Sequence, residues 1–451
     1  MPIALVYLGI MLAVILIWFL VFKRPVYESI FLSFLVLVAV SGTWANIPKY
    51  INSAMKTSLM FTMFAFVAMA QLLGKTKVID SCIQVILALF GRVPGGAGYV
   101  SVIGSSFMGA LSGSGPGNVM ATGVFTIPPM IRSGYPRELA ANVESNASYL
   151  GNMIPPSSNI VAALGAYTAL FPEENMSSGD FWICMWGVSL WFIVLKLVML
   201  FCFCKYYKVT AMQPEDIPNL KESVKNGWKG LLLPVIIFVP FMLDSVAKET
   251  FIAARLGAGK SNFSSSLLLV VPGVAALYSM AICPDKSFWN PVKLSAAFAG
   301  GLKSLCGTIS PCLFGYMVGA LFTDLGVAEG LQAFLTGMTF GKFAMVVFIV
   351  IMTCFMGMII PGSSMVVMFG QVFITVLAGV GCDPLLVAAM LPCICGVMCG
   401  ITPPLALGMY AGMAIAESEF GPTVKNDLIW CAGQFVMEII VLMGVLPVIG
   451  I

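Results

Sequence analysis

The sequence predicts an all-α, polytopic membrane protein built from two inverted repeats, each of five spans plus one re-entrant hairpin. Three observations carry that prediction. The 451 residues are 59% hydrophobic and only 10% charged, with a mean hydropathy of +0.99, more apolar surface than a soluble chain can keep from water. Apolar runs of about 18 residues or more, enough to cross a bilayer core, recur from end to end. The chain also matches itself without gaps when it is shifted by 248 positions.

The first apolar run, 3–22, has no basic stretch before it and no small-residue cleavage site after it. Lys23 and Arg24 follow directly, so it reads as a transmembrane helix and not as a secretory signal. Further spans are expected at 27–44, 54–74, 137–171, 181–204, 230–246, 266–283, 304–323, 384–416 and 427–449. The segments 78–92 and 326–340 read as shorter helices near an interface. The polar stretch 205–229 reads as a cytoplasmic linker between a first repeat, 1–204, and a second, 230–451. Two segments, 98–131 and 343–379, are apolar but broken at their centres. Neither half of either segment is long enough to span, so each reads as a re-entrant helical hairpin.

The 248-residue shift places Phe107, Met108 and Gly109 on Phe355, Met356 and Gly357, and Pro155–Pro156 on Pro403–Pro404. Pro136 meets Pro384, and Ala140–Ala141 meet Ala388–Ala389. An odd number of crossings in each unit turns the second upside down relative to the first, as in many secondary transporters. Charge sets the orientation. With the N-terminus outside, most lysines and arginines gather on one face, among them Lys23, Arg24, Arg92, Arg132, Arg137, Lys205, Lys221 and Lys293. Lys49, Lys56, Lys248, Arg255, Lys260 and Lys342 fall on the other. The positive-inside rule makes the first face cytoplasmic and puts both termini outside.

Four breaks then stand at membrane depth in two matched pairs. The hairpin tips are "SGSGPGN" (Ser112 to Asn118) and "PGSS" (Pro361 to Ser364); the interruptions of the spans 137–171 and 384–416 are "GNMIPPSSN" (Gly151 to Asn159) and "GITPP" (Gly400 to Pro404). Non-helical backbone survives at that depth only where it is buried in protein or lines a wet cavity. Its free carbonyls suit a hard cation, and helix N-termini suit an anion. One tip with one interruption per repeat would make two cation sites flanking a central substrate site. The polar side chains around the breaks, Asn118, Asn146, Ser157, Asn159, Ser364 and Thr402, are the candidates for touching that substrate.

Other functional classes are disfavoured. The net charge of +3 comes without basic runs interleaved with aromatics, which argues against nucleic acid. Histidine is absent, and the 13 cysteines include no CxxC pair, so zinc, haem and an organic cofactor are not expected. The run "CICGVMC" (Cys393, Cys395, Cys399) reads as small packing residues. Without HExxH or paired core acids the chain is not expected to be an enzyme, and without GxxxxGK[ST] it is not an ATP-driven pump. Paired broken helices enclose a site instead of lining an open channel. Glu144 reads as the one acidic residue well inside a core span, either coupling transport to sodium or protons, orienting the hairpin, or pairing with Arg132 or Arg137. Asp324 and Glu329, at a span end, read as solvated.

The stretch "SGSGPGNVMATGVFTIPPMIRSGYPRELAANVESNASYLGNMIPPSSN", with "LLLPVII" at 231–237 and "GITPPLALGMY" later, resembles the large membrane subunit of tripartite ATP-independent periplasmic (TRAP) transporters. The resemblance runs over nearly the whole chain. It implies an elevator-type transporter of the ion-transporter superfamily, in the inner (cell) membrane of a bacterium or archaeon. It also implies sodium-coupled import of a small organic anion, a carboxylate. A soluble extracytoplasmic binding protein would deliver the substrate, and a small four-helix membrane subunit would be the partner. The two sodium sites carry over as Ser112, Ser114, Gly151 and Ile154, and as Gly362, Ser363, Cys399, Thr402 and Leu405. A self-sufficient sodium- or proton-coupled carboxylate carrier of the same superfamily, without a binding protein, is the alternative. In an elevator, 98–171 and 343–416 would move against a scaffold of 27–74 and 266–323. Two departures stand out. Asn118, Asn142, Asn146, Asn152 and Asn159 enrich the first repeat in asparagine, and a longer basic loop replaces the usual Thr-Pro-Thr-Glu-Ala element.

Overall fold

The computed structural model describes residues 3–24, 26–56, 58–76, 78–112, 115–174, 176–247, 255, 260–327, 330, 341–358, 362–403 and 406–451. Among these residues there is helix and no strand, the arrangement in which every backbone polar group is satisfied within its own segment. The expected helix at 326–340, and Ser114, Glu329 and Leu405, lie wholly or almost wholly outside the described residues.

The first part of the chain forms α1 (Ile3–Leu16), α2 (Val26–Ser41), the amphipathic α3 (Ile47–Lys56), α4 (Ser58–Thr76) and α5 (Val78–Phe90). Next comes the first hairpin: α6 (Gly96–Val100), a π-helical stretch Ser101–Ser105, α7 (Ser106–Ser112) and α8 (Gly115–Arg132). The interrupted helix α9 (Arg137–Leu150) and α10 (Ser158–Leu170) precedes α11 (Ser178–Tyr206). After α12 (Leu220–Ala247) come α13 (Lys260–Ile282) and the long α14 (Pro291–Asp324). The second hairpin is α15 (Lys342–Gly357) and α16 (Gly362–Gly379). It is followed by α17 (Pro384–Leu391), a π-helical stretch Pro392–Val397, α18 (Leu407–Ala416) and α19 (Phe420–Leu442).

Local chemistry explains these boundaries. Ser157 caps α10 by accepting from Asn159 N at 3.3 Å. Asp383 caps α17 by accepting from Leu385 N and Leu386 N at 2.8 and 3.0 Å, with Pro384 in the first turn, where its missing N–H costs nothing. Among the described residues two helices, α11 and α16, are individually long and apolar enough to cross a membrane. The polar linker is shorter than expected. Lys205 and Tyr206 complete α11, and Leu220 to Lys229 already belong to α12, which leaves 207–219 as the connection. The short helix α5 packs along α12.

The core lies where the two halves interleave. Both α8 and α9 pack on α18, and both α16 and α17 pack on α10. Likewise α9 packs on α19 and α17 on α11. Under the 248-residue shift each of these contacts becomes its partner. The breaks are therefore held at the centre, and every described residue from Leu139 to Tyr167 is buried.

Candidate functional site

At the first break α9 ends at Leu150, a single 3₁₀ turn runs over Gly151–Met153, and Ile154 is extended at φ −93°, ψ 129°. Pro155 and Pro156 have no N–H, so the chain cannot resume a helix until Ser157 caps α10. The hairpin backbone presses directly on this turn. A Cβ on Gly109 would stand 2.3 Å from Ser148 O, and one on Gly151 would stand 2.5 Å from Gly109 Cα. Only glycine permits that approach.

The second break repeats the contact. A Cβ on Gly357 would meet Cys399 Cα at 3.1 Å, and one on Gly362 would meet Cys395 O at 2.4 Å. Gly362 N donates to Cys399 Sγ at 3.0 Å. Gly109 with Gly151 and Gly357 with Cys399 are the same pair under the 248-residue shift. Ala406, just before α18, sits at φ +25°, a left-handed backbone unusual for a residue with a side chain.

The breaks also meet each other. Asn152 Nδ2 donates to Gly396 O at 3.3 Å, and Asn159 Nδ2 lies 3.0 Å from where a Gly396 Cβ would stand. Tyr149, which the sequence reading passed over, is wedged among three glycines. Cβ atoms on Gly115, Gly400 and Gly408 would come within 2.4, 1.7 and 2.2 Å of its ring. Buried oxygens stand without a hydrogen-bond partner here: Ser158 Oγ, Asn159 Oδ1 and Asn118 Oδ1. Buried polar atoms are rarely left so. No group of three or more His, Cys, Asp or Glu among the described residues is placed to hold a metal. What the breaks offer is backbone and neutral oxygen.

The family described as "Tripartite ATP-independent periplasmic transporter, DctM component" matches residues 5–449. The chain belongs to this family. It is 26% identical over 357 residues to the C4-dicarboxylate TRAP transporter large permease protein DctM of Pseudomonas aeruginosa, covering 78% of this chain and 77% of that one. It is 21% identical over 417 residues to the sialic acid TRAP transporter large permease protein SiaM of Vibrio cholerae, covering 92% and 90%. Its fold is similar to that of the YdaH transporter of Alcanivorax borkumensis, with a TM-score of 0.65 at 15% identity over 89% and 88% of the two chains. This DctM component is a transport permease and not an enzyme.

The expected site residues of this DctM component separate by position. Gly151, Ile154, Gly362, Ser363, Cys399 and Thr402 lie at the two breaks, and Ser112 closes α7. Ser157 is occupied in capping, and Thr402 Oγ1 donates to Met398 O at 2.8 Å. Ser364 is buried in the first turn of α16. Asn118 ties the hairpin to α9, donating to Ser105 O at 2.7 Å and Ser148 Oγ at 2.8 Å. Asn146 does not join the breaks: its amide accepts from Lys196 Nζ at 2.8 Å and donates to Asp427 Oδ1 at 3.0 Å. Asp324 is not simply solvated, because it pairs with Lys49 at 2.6 Å and holds that ammonium above its ordinary pKa.

Glu144 is fully buried and is not paired with Arg137, whose guanidinium meets Glu417 at 2.8 Å and Ala416 O at 3.0 Å. Its carboxylate accepts from five hydroxyls instead. Oε2 takes Ser101 at 2.7 Å, Ser105 at 3.0 Å and Thr126 at 2.6 Å, while Oε1 takes Ser148 at 3.1 Å and Thr122. Four of these hydroxyls belong to the hairpin, so Glu144 staples the hairpin to α9. The hydroxyls replace the water a buried carboxylate loses, which otherwise costs several kcal/mol. Glu144→Ala should therefore destabilise the permease by about 2–4 kcal/mol, and Glu144→Gln by less, because an amide still accepts through one oxygen. Thermal unfolding in detergent measures both; an alanine variant as stable as the wild type would refute the staple.

Glu144 is also not the one acidic residue inside a core span. Asp427 and Glu438 on α19 are buried, as is Lys196 on α11. Lys196 sat inside an expected span, and residue type alone could have flagged it.

Proposed function

We propose that this permease couples sodium to the import of a small organic anion carrying a carboxylate. The observation that carries the reading is the matched pair of breaks, each with a hairpin backbone pressed on it at Gly109–Gly151 and at Gly357–Cys399. Two sodium ions would sit in carbonyl and hydroxyl oxygens there, at Ser112, Ser114, Gly151 and Ile154 and at Gly362, Ser363, Cys399, Thr402 and Leu405. The unpartnered oxygens of Asn118, Ser158 and Asn159 support a polar ligand between them. Two relatives are named for acids, a C4-dicarboxylate and sialic acid, which supports the carboxylate.

In this reading the chain comprises two inverted repeats, both termini lie outside the cytoplasm, and 207–219 lies inside. The hairpins and interrupted helices move as one elevator body against the remaining spans. A soluble binding protein delivers the substrate, and a small membrane subunit completes the transporter, as the word tripartite in the family's description suggests. Nothing favours a self-sufficient carrier.

Uptake into proteoliposomes should require an inward sodium gradient. Thr402→Ala should raise the half-saturating sodium concentration by about 5- to 150-fold, the equivalent of about 1–3 kcal/mol for one lost oxygen contact, before it lowers the maximal rate. Equal uptake on a proton gradient without sodium would end this reading.

A further inference from the structure

Away from the breaks, α19 brings a second polar cluster against the π-helical stretch Pro392–Val397. Gln434 and Glu438 are both fully buried and lie one turn apart. Gln434 Nε2 donates to Glu438 Oε1 at 3.1 Å and to Cys393 Sγ at 3.0 Å, while Cys393 Sγ approaches Glu438 Oε1 at 3.4 Å. The other ends of the same two groups, Gln434 Oε1 and Glu438 Oε2, have no hydrogen-bond partner and are buried. Both are acceptors when Glu438 is ionised, so neither can satisfy the other. One proton on Glu438 Oε2 changes that: the acid then offers an O–H, and the amide oxygen is a free acceptor on a side chain it already touches.

Charge points the same way. The titratable groups facing Glu438 are Lys196 from α11, Cys431 from α19 itself, Cys393 and Cys395 from the π-helical stretch, and Cys354 from α15. Asn146 links the Lys196 ammonium to Asp427, so one buried cation is balanced by one buried anion. An ionised Glu438 would add an uncompensated negative charge in the interior, which is costly. Glu144 is the contrast: five hydroxyls satisfy it as a carboxylate, whereas Glu438 has a single amide and a thiol.

We propose that Glu438 and Gln434 form a proton-binding site, closed as a ring in which Gln434 Nε2–H donates to Glu438 Oε1 and Glu438 Oε2–H donates to Gln434 Oε1. The site joins α19 to the second interrupted helix, so any motion that wets this joint releases the proton to water. It stands apart from the sodium sites and does not rest on the sodium reading.

Infrared spectroscopy of the full permease in lipid, with carbon-13-labelled glutamate, tests this directly. At neutral pH a carboxylic-acid carbonyl band that shifts on labelling is expected, lost in Glu438→Gln and kept in Glu144→Gln. No such band in the wild type, a band that survives Glu438→Gln, or one lost instead in Glu144→Gln would overturn the proposal. Gln434→Met supplies a second arm should Glu438→Gln fail to fold. The band should move to higher frequency as the acid loses its amide partner, and an unshifted band would overturn the ring. Replacing sodium with choline should leave the band in place; a band seen only without sodium would mean that a cation, not a proton, fills the site. A failure of sodium-driven uptake would leave all these results unchanged, so the two readings fall separately.

Discussion

Lys196→Met should destabilise the permease by about 3–5 kcal/mol, one of the two largest effects expected of a single substitution. The Lys196 ammonium is fully buried, donates to Asn146 Oδ1 at 2.8 Å and lies 5.3 Å from the centre of the Trp430 ring. Removing it leaves Asp427 as a buried carboxylate whose compensating cation is gone, and breaking a buried charge arrangement from one side costs about that much. Methionine keeps the apolar stem, so lost packing contributes little. The double variant Lys196→Met/Asp427→Asn should recover most of the loss, because it removes both charges and leaves Asn146 a neutral amide neighbour. Thermal unfolding of the four proteins of this cycle is the measurement. A single variant less than about 1 kcal/mol below wild type, or a double variant that is additive, would show that the charges do not interact.

Gly109→Val should abolish uptake. Its Cβ would stand 2.3 Å from Ser148 O, and that oxygen is backbone in the last turn of α9, which cannot rotate away as a side chain can. Overpacking a tight core costs about 1–3 kcal/mol where side chains can yield, and more where they cannot. The expected result is a hairpin held off the first break and transport reduced at least about 100-fold, the equivalent of the upper part of that range. Gly104 supplies the comparison on the same hairpin: a Cβ there would have only Ile86 Cδ1 at 3.8 Å. Gly104→Ala should keep full activity. Equal activity of the two variants would mean that the close backbone contact is not needed for transport.

The breaks were legible because glycine and proline have local meanings. Pro155 and Pro156 end a helix whatever surrounds them, and α10 does begin just after them at a serine cap. Glu144 could be picked out because a carboxylate in an apolar run is conspicuous, yet its partners could not. The hydroxyls come from as far as Ser101, 43 residues away, and Arg137, one of the two arginines offered as its partner, reaches Glu417, 280 residues along the chain from that arginine. Asn146 shows the same limit. Its position beside the break suggested the substrate, but the turn of α9 points it toward Lys196 and Asp427, 50 and 281 residues distant.

By itself, then, the sequence determined the elements: helices throughout, two hairpins, two interruptions, and the family to which the chain belongs. These follow from composition and from residues whose backbone preferences act locally, and the 248-residue repetition doubles each signal. Tertiary structure alone decided which buried polar groups meet. Glu144 became a staple, Lys196 and Asp427 a balanced pair, Tyr149 a wedge among three glycines, and Glu438 an acid beside a single amide. The physical reason is that helical periodicity fixes which residues share a face, while the partner of that face is chosen by packing elements that stand tens to hundreds of residues apart, and a buried charge is settled only by the groups it finds there.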